Sequence, residues 1–421
     1  MRKNRYLLVS MMAGCLLGST AACGDSSEPA TPDDGVGGSG GNNDPLKLAT
    51  WWAVGSEQES LQRVITEFRA DNPGANVELV AAVNAPDPRR ELYHTIEWDV
   101  AQESGQDLVE NVRDIAVDLN SVPELASTLA NIDRVFLDLV TVDNQVIGLP
   151  MALHRENTLH YASEVVANPP ETLADLRGMC ESYLSGGSTG PKPLALGEPV
   201  ADNEWILRIL LEAMLPGEVL AGTAADPLPA FTAALEVIDY YAANECFHFA
   251  ARWEQAAHAL IDDASMGGRQ AAMFIHGDWA KGYLIQNGEQ AGVDFGVTTT
   301  PGANGAYYFN LDTLAVRAAS PRRDLAIQFM VTALSAEGQI AFSEIKGSTP
   351  AVHIDNPETQ MSDPALRATY QELVDAQAGE RFIAVPVWVG PSGALLRPLF
   401  DRTRTVAEVA QDLIGIYPTG S

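Results

Sequence analysis

Five short stretches carry flat aromatic rings, carboxylates or a lysine. In "TWWAVGSEQE", Trp51 and Trp52 precede Glu57. In "HGDWAKG", Asp278 precedes Trp279, while "NLDT" carries Asn310 and Asp312. "EIKGSTP" carries Lys346 and "VPVWVGPS" carries Trp388. A flat ring covers the apolar C–H face of a pyranose, and a carboxylate accepts hydrogen bonds from its hydroxyls. These residue types therefore point to carbohydrate recognition.

Such groups need elements that bring them to one place. "LKLATWW" reads as a strand over 46–52. "SEQE" reads as a capping box, with Ser56 as N-cap and Glu59 three residues later. Leu61, Val64, Ile65 and Phe68 then follow at helical spacing. Val77, Leu79, Ala81 and Val83 alternate as a strand with one buried face. This β-α-β start predicts an α/β lobe, where ligands sit beyond the carboxyl ends of the strands. Adjacent residues of a strand point to opposite faces, so one of Trp51 and Trp52 packs inward and the other reaches a cleft. "QAAMFIHGDWAKGYLIQ" repeats the pattern of strand, Gly-Asp turn and helix, with Asp278 as N-cap.

The chain has 421 residues, enough for two lobes. "MRKNRY" followed by an apolar run to "TAAC" predicts a signal peptide over 1–22. "TAAC" resembles a lipobox, which makes Cys23 the expected lipid anchor. The segment 23–45 is Gly, Ser, Asp and Pro, a flexible tether to a bacterial membrane. Loss of the leader's Arg2, Lys3 and Arg5 takes the net charge from −30 to −33. That charge repels nucleic acid and anionic lipid. Beyond the leader and Cys23, Cys180 and Cys246 remain, either as a disulfide or as two buried thiols.

Catalytic fingerprints are weak. "GGSTG" fits the nucleophile-elbow pattern at Ser188, but no strand precedes it and Pro191 follows. No H-E-x-x-H, P-loop or G-x-G-x-x-G fingerprint stands out. A secreted carbohydrate-active hydrolase and a surface sugar sensor or adhesin are the alternative readings. No cofactor or metal is expected.

Taken in order, "TWWAVGSEQESLQRVITEFRADNPGANVEL", "VIGLPMALHRENTLHY", "AAMFIHGDWAKG" and "SEIKGSTPAV" resemble the extracellular solute-binding proteins of sugar ABC transporters, the glucose/mannose-binding type among them. The resemblance covers nearly all of the chain after Pro45. It implies a bilobed periplasmic-binding-protein fold of type II. The N-terminal lobe would span 46–153 plus about 305–345, and the C-terminal lobe 154–304 plus about 346–421. It implies a monomer that is not an enzyme and that delivers sugar to the permease of an importer. Trp51, Trp52 and Glu57 would be N-lobe contacts, Asp278 and Trp279 C-lobe contacts. His154 and Arg155 would lie at the first crossover, Asp312 near another, and Lys346 on the C-lobe side. The chain departs from the family in "GQDLVENVRD", where Glu110, Asn111 and Arg113 stand in for the usual polar loop.

Overall fold

A computed structural model describes residues 44–53, 55–81, 93–197, 204–379 and 381–418. The expected signal peptide, Cys23 and most of the tether lie outside the described residues.

Thirteen strands are described: β1 (Leu46–Thr50), β2 (Val77–Ala81), β3 (Val100–Ser104), β4 (Thr141–Val142), β5 (Gln145–Val146), β6 (Leu149–Arg155), β7 (Thr158–Ala162), β8 (Lys192–Gly197), β9 (Phe247–Ala250), β10 (Ala271–His276), β11 (Phe295–Thr299), β12 (Tyr307–Val316) and β13 (Phe382–Ala384). One sheet runs β13-β12-β3-β1-β2, with β6 on the other edge of β12. β1 is parallel to β2 and β3, whereas β12 is antiparallel to β3 and β6. A second sheet runs β11-β7-β10-β8-β9. β4 and β5 form a small separate hairpin.

Each sheet has its own core. Leu46, Leu48, Val100, Leu149, Leu311 and Leu314 pack with the helices Gly55–Asp71, Arg323–Ala333 and Ala336–Lys346. Leu194, Leu196, Met273 and Ile275 pack with Leu173–Ser185, Glu204–Glu212, Leu228–Ala243 and Val406–Ile416. Burial of each helix's apolar stripe fixes it to its sheet. The chain is bilobed, and it passes between the sheets from β6 to β7, from β11 to β12, and from β13 to the helix Ser392–Phe400.

The last crossing corrects the expected lobe division. Leu366, Tyr370, Leu373 and Ala376 of the helix Pro364–Ala378 face the first core, and β13 pairs with β12. Residues from about 346 to 384 therefore pack with the N-terminal lobe. Their apolar spacing marks a helix face but does not name its partner.

Two local expectations also change. β1 ends at Thr50, leaving both tryptophans beyond the strand. The first helix begins at Gly55, so Ser56 lies inside it, and its carbonyl accepts from Ser60. Cys180 and Cys246 form a disulfide that ties the helix Leu173–Ser185 to the start of β9.

Candidate functional site

A cavity of about 830 Å³ lies between the two sheets. It collects residues that follow the carboxyl ends of β1, β3, β9 and β10, with the first half of β12 crossing it.

The N-lobe wall starts at Thr50. Its hydroxyl donates to Gln102 at 2.8 Å and accepts from the amide of Trp52 at 3.0 Å. The chain turns there. Trp51 lines the cavity, whereas Trp52 is fully buried with its ring 4.7 Å from that of Phe342. One ring thus packs inward and the other faces the cavity, so of the pair only Trp51 lines it. Glu57, in the first turn of its helix, accepts from Lys346 Nζ at 2.7 Å. Lys346 ends the helix Ala336–Lys346, which packs in the first core, so it belongs to the N-lobe side rather than the expected C-lobe side. Its ammonium lies 5.9 Å from the ring centre of Trp279, across the cavity.

His154 joins the lobes beneath this wall. It stands one residue before the end of β6, pairs in register with Asn310, and lines the cavity with Asp312. Nδ1 donates to Asp278 at 2.7 Å and Nε2 donates to Asp312 at 2.8 Å. Burial alone pulls the imidazole down, but the two carboxylates outweigh it and raise its pKa to about 9. The ring is an imidazolium at neutral pH. Asp278 spends its second oxygen on the amide of Arg155 at 2.9 Å. It occupies the N-cap position of its helix but makes no capping bond. It is also buried behind the cavity rather than lining it. Its role is to hold His154.

The C-lobe wall is aromatic. Trp205, Trp253 and Trp279 all line the cavity, and all pack around His276 at the end of β10. Their ring centres lie 5.3, 5.6 and 5.0 Å from the imidazole. Burial pushes the pKa of His276 well below its ordinary value, so the ring stays neutral and serves as packing. A Cβ on Gly277 would stand 2.1 Å from the Trp279 ring, so only glycine lets that ring fold back over the chain. Arg208 projects one turn after Trp205 and donates to Glu212 at 3.1 Å and to Glu156 at 3.3 Å. Burial raises the Glu212 carboxyl well above the usual range, although Arg208 opposes this.

The cavity therefore gathers Trp51, Glu57, His154, Trp279, Asp312 and Lys346 from the expected set. Asn111 does not line it; the helix Gly105–Val112 presents Gly105 and Asp107 instead. Trp388 packs between two core clusters, and its Nε1 donates to the carbonyl of Leu220 at 3.0 Å. A proline-rich strand end looks the same in sequence whether its ring packs or binds. Glu103, Glu156, Trp205, Arg208, Trp253 and Glu254 were not expected at the site. For Trp205 and Arg208 the available signal was their i, i+3 spacing on a helix that otherwise reads as core. For Trp253 it was its place immediately after a strand.

Four tryptophan rings with carboxylates and cationic side chains among them suit a polar ligand with apolar faces. The comparisons agree in kind. Residues 63–368 match the family described as bacterial extracellular solute-binding protein. An uncharacterized ABC transporter extracellular-binding protein of Pyrococcus horikoshii is 24% identical over 404 residues, covering 89% of this chain and 86% of the relative. The xylose/arabinose-binding protein XacG of Haloferax volcanii is 22% identical over 361 residues, covering 82% of this chain and 77% of the relative. Among solved structures, the GacH receptor of Streptomyces glaucescens, determined unliganded and with acarbose, superposes with a TM-score of 0.67 at 16% identity, covering 89% of this chain and 97% of that one. This family binds solutes outside the cytoplasm without transforming them, which sets the hydrolase alternative aside. The chain belongs to the bacterial extracellular solute-binding proteins.

Proposed function

We propose that the cavity binds a sugar, a glucose-like monosaccharide or a small oligosaccharide, and that the protein delivers it to the permease of an ABC importer. The observation that carries this reading is the meeting of Trp51, Trp205, Trp253 and Trp279 with hydrogen-bonding side chains in one space of about 830 Å³. That volume lies at the upper end of the roughly 300–1,000 Å³ usual for small-molecule sites. The stacked rings would cover the sugar's C–H faces, and Glu57, Asp312, Lys346 and Arg208 would fix its hydroxyls. The names of the Haloferax relative and the acarbose-bound receptor support a carbohydrate cargo.

The N-terminal lobe in this reading comprises 46–153 and about 305–384, the C-terminal lobe 154–304 and about 385–418. A ligand touching both shifts their balance toward closure. The signal peptide would direct export and be removed, and a lipid on Cys23 would then hold the protein, as a monomer, at a bacterial membrane in the periplasm or at the cell surface.

Calorimetric titration of the full chain tests the reading, after unfolding and refolding to strip carried-over ligand. The panel holds mono-, di- and trisaccharides. Micromolar or tighter binding of one sugar is the expected result. No binding across the panel overturns the sugar assignment.

A further inference from the structure

His154 faces the cavity, and the next residue, Arg155, faces away from it, as neighbours in a strand must. Arg155 is 6% exposed and holds both lobes. Its Nη1 donates to Glu372 Oε2 at 2.6 Å, and Glu372 sits on the helix Pro364–Ala378 of the first core. Its Nη2 donates to the hydroxyl of Thr299, the last residue of β11 in the second sheet. The guanidinium lies 4.8 Å from the ring centre of Tyr307, and Nε donates to Asn157 at 3.2 Å. Neither Glu372 nor Thr299 lines the cavity.

We propose that Arg155, Glu372 and Thr299 form a bracket behind the hinge, and that these positioning residues set how readily the cleft closes on its ligand. The proposal rests on the cleft-binding reading above, but part of its test does not. The bracket is made in the same arrangement that puts Lys346 over Trp279 and lets Gln286 donate to Glu59 across the rim at 3.4 Å. Loss of the bracket therefore favours separated lobes. Glu372 is 57% exposed at its side chain, so its pair with Arg155 is partly screened by water and salt. The expected change in the closure equilibrium is modest, about two- to five-fold.

Glu372→Gln and Thr299→Val each remove one arm without touching the cavity, and Thr299→Ser keeps the hydroxyl. The first readout needs no sugar: acrylamide quenching of tryptophan fluorescence in the ligand-free full chain at low salt. Both arm-removing variants should quench more strongly than the native protein, and Thr299→Ser should match it. In 1 M NaCl the native protein should approach the Glu372→Gln value. The second readout is the Kd for the sugar found by calorimetry, expected to weaken about two- to five-fold in Glu372→Gln with an unchanged thermal midpoint. Quenching equal to native in both arm-removing variants overturns the bracket. A native protein that binds no sugar removes the functional reading, and the quenching result still decides the bracket. Weaker binding that follows a lowered thermal midpoint overturns a positioning role in favour of a structural one.

Discussion

His154 and Asp278 meet at 2.7 Å where neither is open to solvent, and Asp312 stands 2.8 Å from the other ring nitrogen. The three residues come from β6, from the turn after β10 and from β12, so one imidazolium ties both sheets to the crossover.

That clamp depends on pH. The folded pKa of about 9 lies above the roughly 6.5 of an unfolded histidine. Its stabilisation is complete below about pH 6.5 and disappears as pH rises through 9. The gap corresponds to a contribution on the order of 3 kcal/mol. His154→Asn should be markedly less stable than native at pH 6 and should approach it by pH 10. Urea midpoints across that range measure this, and parallel profiles for the two proteins would refute it.

Adjacent tryptophans should behave differently. Trp52 is sealed against Phe342, so Trp52→Ala should cost about 3–5 kcal/mol of folding stability. Trp279 lines the cavity, so Trp279→Ala should weaken sugar binding about ten-fold, near the worth of one aromatic contact. Its thermal midpoint should fall much less than that of Trp52→Ala. Unchanged sugar affinity in Trp279→Ala would remove the stacking role.

The disulfide should matter mainly for stability. Cys180 and Cys246 are separated by 66 residues and are both fully buried. Closing a loop of that length restricts the unfolded chain by about 4 kcal/mol in the chain-entropy relation. The double variant Cys180→Ser, Cys246→Ser should unfold at a clearly lower urea midpoint, with sugar affinity retained while folded. An unchanged midpoint would contradict the prediction.

Much of this was legible in the residues. Apolar runs located β1, β10 and β12, which are buried on both faces, and apolar residues at helical spacing located the helices that follow. The resemblance of "HGDWAKG" singled out Trp279, which lines the cavity. The division of labour was harder. Asp278 sits at an N-cap position, yet its carboxylate serves His154, which lies 124 residues away in sequence. Trp205 stands on a helix whose Leu207, Leu210 and Leu211 are core, and the same pattern conceals one outward ring. The helix Pro364–Ala378 shows an apolar face in sequence, but only the folded chain shows which sheet it covers.

Glu212 supplies the last test. It is fully buried beside Arg208, and burial raises its carboxyl well above the usual range while the neighbouring Glu156 adds to the shift. A carboxyl raised on folding favours the folded state below its unfolded value near 4.5, and that advantage is lost as pH climbs. Glu212→Gln keeps the shape, and its amide can donate to Glu156 as a protonated carboxyl would, without ever ionising. The variant should match native near pH 4.5 and exceed it at pH 8, because its amide never has to ionise in a buried site. Urea midpoints at the two pH values measure the difference. A variant less stable than native at pH 8 would mean that the ionised carboxylate is a needed partner of Arg208, outweighing the cost of burying it.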